Sequence, residues 1–122
     1  MCVIDRDIGI ENLLDLDGAR FVIDEFLGLW VKFEVKRTHK TFNRPHGIRY
    51  SLSLHNRKNI RIMGFDNAHA IEYGNKILPY DHWHRSSSDE GRLYYYENAI
   101  KLLEDFWYEV ERIVKKLKEE IQ

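Results

Sequence analysis

The sequence predicts an α+β domain: an antiparallel sheet of four or five strands with one face covered by a long C-terminal helix. Two patterns carry that expectation. Residues 29–38 and 48–55 alternate apolar and polar side chains with period two, the mark of half-buried antiparallel strands. Residues 95–120 instead step their apolar positions by 4, 3, 4, 3 and 4, the rhythm of a helix that lays one face on a core. At 122 residues the chain reads as one domain spanning 1–122. Its sheet falls at about 20–73, a loop at 74–94 and the helix at about 95–120.

The elements follow in order. RFVIDEF (20–26) reads as a strand that turns back through Leu27 and Gly28 into LWVKFEVKRT. In that second strand Leu29, Val31, Phe33 and Val35 share one face, and Trp30, Lys32, Glu34 and Lys36 share the other. Arg37 to Gly47 is a polar loop containing His39, Arg44, Pro45 and His46. In IRYSLSLH, Ile48, Tyr50, Leu52 and Leu54 oppose Arg49, Ser51, Ser53 and His55. HNRKN is polar enough for a hairpin loop, and NIRIMGF (59–65) returns as the next strand. Asp66-Asn67 is turn-forming, because both side chains bond their own backbone. Residues 69–73 could add a short strand, and Ser86 to Gly91 reads as a flexible connector. The helix stripe is Ala99, Leu103, Phe106, Val110, Ile113 and Leu117, widened by Leu102, Trp107, Val114 and Ile121. A wide aromatic stripe fits a sheet face, with Phe106 and Trp107 set against Val31, Phe33, Leu52 and Leu54. A coiled-coil seam, and hence a homodimer, is the competing reading.

Composition excludes several classes. No run approaches the roughly 18 apolar residues of a membrane helix. The opening MCVIDRDIG is acidic where a secretory leader would be basic. A single cysteine, Cys2, can form no internal disulfide, and a reducing cytoplasm is the natural setting. There is no G-x-S-x-G, Walker loop, dinucleotide fingerprint or H-E-x-x-H.

The near-neutral net charge of -1 hides an asymmetry. Residues 32–63 carry nine basic side chains against one acidic, Glu34, whereas residues 1–31 carry two against seven. The basic set is interleaved with histidine and aromatics, as a polyanion-binding surface would be. A solvated, lysine-rich sheet edge is the plain alternative. The polar strand face would collect Trp30, Lys32, Lys36, Arg49, His55 and Arg61, with Arg44 and Arg85 on flanking segments. Arg49 and Arg61 suit phosphate, and Trp30 suits a stacked base.

Five of the six histidines lie between positions 46 and 85. His82-Trp83-His84 puts two imidazoles on one side of an extended chain, beside Asp81. RNA cleavage needs only a base, an acid and cations, so His69, His82 and His84 are acid–base candidates that call for no cofactor. Asp81 or Asp66 would orient a ring. H-x-H also binds metal, but no third ligand follows at metal spacing, so no metal is assigned. For Asp66, Asn67 and His69 the alternative is an ordinary turn.

Five blocks together carry a family resemblance: Trp30-x-Lys32; Arg49-Tyr50-Ser51-Leu52-x-Leu54-His55; Gly64-Phe65-Asp66-Asn67-Ala68-His69; Tyr80-Asp81-His82-Trp83-His84-Arg85; and Leu102 to Val110. In these the chain resembles the TumE-type toxins of prokaryotic toxin–antitoxin pairs, over residues 17 to 115. The resemblance implies growth inhibition restrained by a cognate antitoxin, often a helix-turn-helix protein. It transfers no catalytic residue. The expected activity is therefore a toxin acting on RNA, as a metal-independent endoribonuclease that could require the ribosome. A non-catalytic module that inhibits by occlusion is the rival.

Overall fold

The structure, a computed structural model, describes residues 7–42, 44–68, 71–73, 76–78 and 81–121. Its main sheet has six strands in the order β1-β2-β3-β4-β7-β8: Arg20–Asp24, Leu29–Arg37, Ile48–His55, Arg61–Asp66, His82–His84 and Arg92–Leu93. Every neighbouring pair is antiparallel. Two further strands, β5 (Ile71–Tyr73) and β6 (Lys76–Leu78), pair with each other as a separate hairpin. A short helix α1 (Ile10–Asp15) precedes the sheet, and a long helix α2 (Ala99–Glu120) follows it.

β2 and β3 form where the alternation placed them, and β1 and β4 form within a few residues of the strands read at 20–26 and 59–65. The turn into β2 needs a residue with positive φ, and Gly28 supplies it at φ 72 while Asp24 Oδ1 accepts the Leu27 N–H at 2.9 Å. The expected loop at 74–94 instead holds β6, β7 and β8, and β7 and β8 extend the four strands of the meander to a main sheet of six. Strands of two or three residues are too short to show a period, so alternation could not reveal them. The short strand expected at 69–73 exists as β5, but outside the main sheet.

Helix α2 begins at Ala99 rather than near Tyr95. Asn98 caps it, its side chain accepting the Lys101 N–H at 2.8 Å. Tyr94 lies outside the helix, and its N–H donates to the Asp81 carbonyl at 3.1 Å. The helix stripe covers the apolar sheet face: Leu102, Phe106, Val110 and Ile113 join Val31, Phe33, Leu52, Leu54, Met63 and Phe65 in one core, which Leu13 of α1 completes. Phe106 is wholly buried, edge-on to Phe33 at 5.5 Å, while Trp107 is only partly buried. With this face covered, the opposite sheet face is left for chemistry.

Candidate functional site

Strand register assembles the site. Ser51 of β3 pairs with Asp66 of β4, and Asp66 pairs with His82 of β7; in the next row Ser53 pairs with Gly64 and Gly64 with His84. Cross-strand partners point to the same side of a sheet, so Asp66, His82 and His84 meet on the polar face. His82 Nε2 lies 3.2 Å from Asp66 Oδ1, and His84 Nε2 lies 3.6 Å from Asp66 Oδ2. The imidazole centroids are 4.9 Å apart with planes near perpendicular, at 79°. All three side chains are nearly enclosed, at 5, 7 and 9% exposure for His82, Asp66 and His84.

Surrounding groups fix this cluster. The Ala68 N–H donates to Asp66 Oδ1 at 3.0 Å. His84 Nδ1 is 2.8 Å from the Asp89 carbonyl, which can only accept, so Nδ1 carries a proton. Asp89 in turn orders its own turn, its carboxylate accepting the N–H groups of Arg85 and Gly91 at 3.0 and 2.9 Å. Burial opposes the charge on Asp66, but bonding from His82 and His84 outweighs it and holds the carboxyl well below the usual carboxylate range. Arg61, 4.0 Å from Asp66 Oδ2, brings a cation to the rim. Gly64 leaves room for it: a Cβ there would stand 3.3 Å from Arg61 Cδ and 3.1 Å from the Leu52 carbonyl oxygen.

Asp81 takes no part in this cluster. It precedes His82, and side chains alternate along a strand, so it faces the opposite side. There it accepts the Tyr50 hydroxyl at 2.8 Å and approaches His46 Nε2 at 3.4 Å. Of the two carboxylates expected to orient one of His69, His82 and His84, Asp66 meets both His82 and His84, and Asp81 meets neither of these two. His69 lies outside the described residues.

The expected binding residues divide by partner. Lys32 pairs with Glu34 at 2.7 Å and Lys36 with Asp17 at 2.5 Å, which offsets part of the predicted positive charge. Arg49 is exposed and has no side-chain partner among the described residues. Arg85 is exposed beside the Asp89 turn. Arg44 is committed to structure, donating to the carbonyls of Asn67 and Ala68 at 3.1 and 2.9 Å. Trp30 stacks on His55 with centroids 4.4 Å apart, and the Arg20 guanidinium lies over its ring at 5.4 Å. Burial lowers the His55 pKa, and the nearby cations Lys32, Arg61 and Arg20 lower it further.

A cleft of about 360 Å³ opens on this face, lined by Asp17, Glu34, Lys36, Arg49 and Ser51 among others. Ser51 is the cross-strand neighbour of Asp66, so the cleft adjoins the cluster. A larger cavity of about 540 Å³, near Arg37, Lys40, His46 and Asn98, shares no residue with the cluster.

Asn67 is the residue that sequence patterns misjudged. It does not merely close a turn: its side chain accepts the Tyr50 N–H and donates to the Ile48 carbonyl, both at 2.8 Å, and it is wholly buried. Its neighbour Asp66 is thereby anchored to β3. The one available signal was its place beside Asp66 at the end of an alternating strand.

No curated protein matches the chain, and no solved structure matches it. No helix among the described residues is long and apolar enough to cross a membrane. A protein-family profile described as Toxin TumE matches residues 15–114, a span that includes the sheet, the cluster and most of α2. By that match the chain belongs to the TumE toxin family.

Proposed function

We propose that this toxin acts on RNA, binding it along the polar sheet face and cleaving it beside Asp66, His82 and His84. One observation carries the reading: register and burial gather a carboxylate and two imidazoles next to Arg61, on the face that also bears Arg49. In RNA cleavage the 2′-oxygen attacks the adjacent phosphorus, its proton passes to a base, and the 5′-oxygen leaves with a proton. The products are a cyclic phosphate and a 5′-hydroxyl. Arg61 is placed to offset the charge that builds on the phosphorane, and Arg49 to hold a neighbouring phosphate.

The family implies a cognate antitoxin. We take it to be a small helix-turn-helix protein, acting with the toxin in the cytoplasm. The test is brief expression followed by mapping of RNA ends in cells, for the native chain and for Asp66→Asn. New 5′-hydroxyl ends that appear with the native protein and vanish with a folded Asp66→Asn support cleavage. Growth arrest without new ends would instead support inhibition by occlusion.

A further inference from the structure

We propose that Asp66, His82 and His84 bind one divalent transition-metal ion, of the Zn²⁺ or Mn²⁺ type. Ion binding is independent of whether RNA is the substrate; only the ion's catalytic role rests on that reading.

The first support is the aim of His84. Because His84 Nδ1 donates to the Asp89 carbonyl, Nε2 is the ring atom left to bind an ion, and it points at Asp66. It lies 3.6 Å from Asp66 Oδ2, longer than a good hydrogen bond. A cation between the two atoms would take a ligand from each. A carbonyl that holds Nδ1–H and aims Nε2 inward is also the usual outer support of a metal-bound imidazole.

Spacing is the second support. With metal–ligand distances of about 2.0–2.2 Å, donors around a tetrahedral ion sit roughly 3.3–3.5 Å apart. His82 Nε2 lies 3.2 Å from Asp66 Oδ1 and His84 Nε2 3.6 Å from Oδ2, so each imidazole meets one oxygen of the same carboxylate. A set of one ligand atom from each residue lies within 4.8 Å of one another, a spacing that a small closure brings to the ion. Two imidazoles and one carboxylate without thiolate favour a borderline ion over calcium or copper(I).

Charge is the third. Imidazoles that ligate an ion are neutral, so with one carboxylate the ligands sum to -1, and a bound dication leaves a net positive centre beside Arg61 and the cleft. Three protein ligands also leave a coordination position for water or a phosphate oxygen. His82 and His84 then act as ligands rather than as the proton carriers that sequence patterns suggested.

Tag-free protein stripped with chelator is titrated with ZnCl₂ and, for its visible spectrum, CoCl₂. One equivalent should bind, with micromolar or tighter affinity. Asp66→Asn and His84→Gln should each weaken binding by about 10²-fold or more. Imidazole nitrogen NMR of the native protein covers the case in which the variants fail to fold. Zn²⁺ should move Nε2 of His82 and His84 and leave His39 and His55 in place. The proposal is overturned if no ion binds at 100 µM metal, if binding survives in both variants, or if His84 is an imidazolium that Zn²⁺ does not move. Metal binding without RNA cleavage would sink the proposed function and leave the ion site standing. Cleavage unaffected by chelator, with imidazoles that ignore Zn²⁺, would do the reverse.

Discussion

Replacing Asn67 with alanine should destabilise the fold by about 2–6 kcal/mol, although its side chain is polar. Asn67 is wholly buried, and its amide accepts the Tyr50 N–H and donates to the Ile48 carbonyl, both at 2.8 Å. Alanine leaves both backbone groups without partners in a closed site. Each such orphan costs about 1–3 kcal/mol. A water admitted to the vacated space would satisfy part of that need, which sets the lower end. Domains of this size have about 5–15 kcal/mol of total stability, so the effect is large. Asn67→Asp separates the two bonds. It keeps an acceptor for Tyr50 but turns an oxygen toward the Ile48 carbonyl, and it should be no more stable than alanine. Urea titration of the three proteins reads the difference, provided the slope with denaturant stays constant. A loss below about 1 kcal/mol for Asn67→Ala, or native stability for Asn67→Asp, would refute the clamp.

Phe106→Ala should cost about 3–5 kcal/mol, since its ring is fully enclosed and edge-on to Phe33. Sedimentation should show no dimer lost on that change, because the stripe is spent on the sheet; a native dimer that dissociates in the mutant would favour the seam instead. Gly64→Ala should push Arg61 from its place over β4, costing about 1–3 kcal/mol and flattening the salt dependence of RNA binding by about 0.7. For Asp89, burial opposes the charge, but the Arg85 and Gly91 N–H groups and the Arg92 guanidinium hold its carboxyl down to about 2, below its ordinary 3.8. A lowered folded pKa adds stability that is complete above pH 3.8 and is lost as pH falls toward 2. Acid titration of native protein and Asp89→Asn should therefore converge below that window and diverge above it.

Sequence alone determined the parts of this protein that repeat. Val31, Phe33, Leu52 and Leu54 fell on the buried face because a strand's side chains alternate whatever surrounds them. The stripe of α2 was equally legible, since burial of one helix face forces a 3.6-residue period. The H-x-H pair was correctly set on one side of its strand for the same reason. Only the tertiary structure decided what those histidines meet. Asp66 lies far from His82 along the chain, and the β4–β7 register, which no local pattern encodes, brings them together. Asp81 was the nearer carboxylate in sequence, and alternation itself turned it away to Tyr50. Likewise, charge counting showed a basic segment, with Glu34 two residues from Lys32 inside it, but not that Asp17, 19 residues away, offsets Lys36, because that ion pair forms across space rather than along the chain. The proton on His84 Nδ1 was the least legible feature, because it depends on one carbonyl in a turn that carries no period at all.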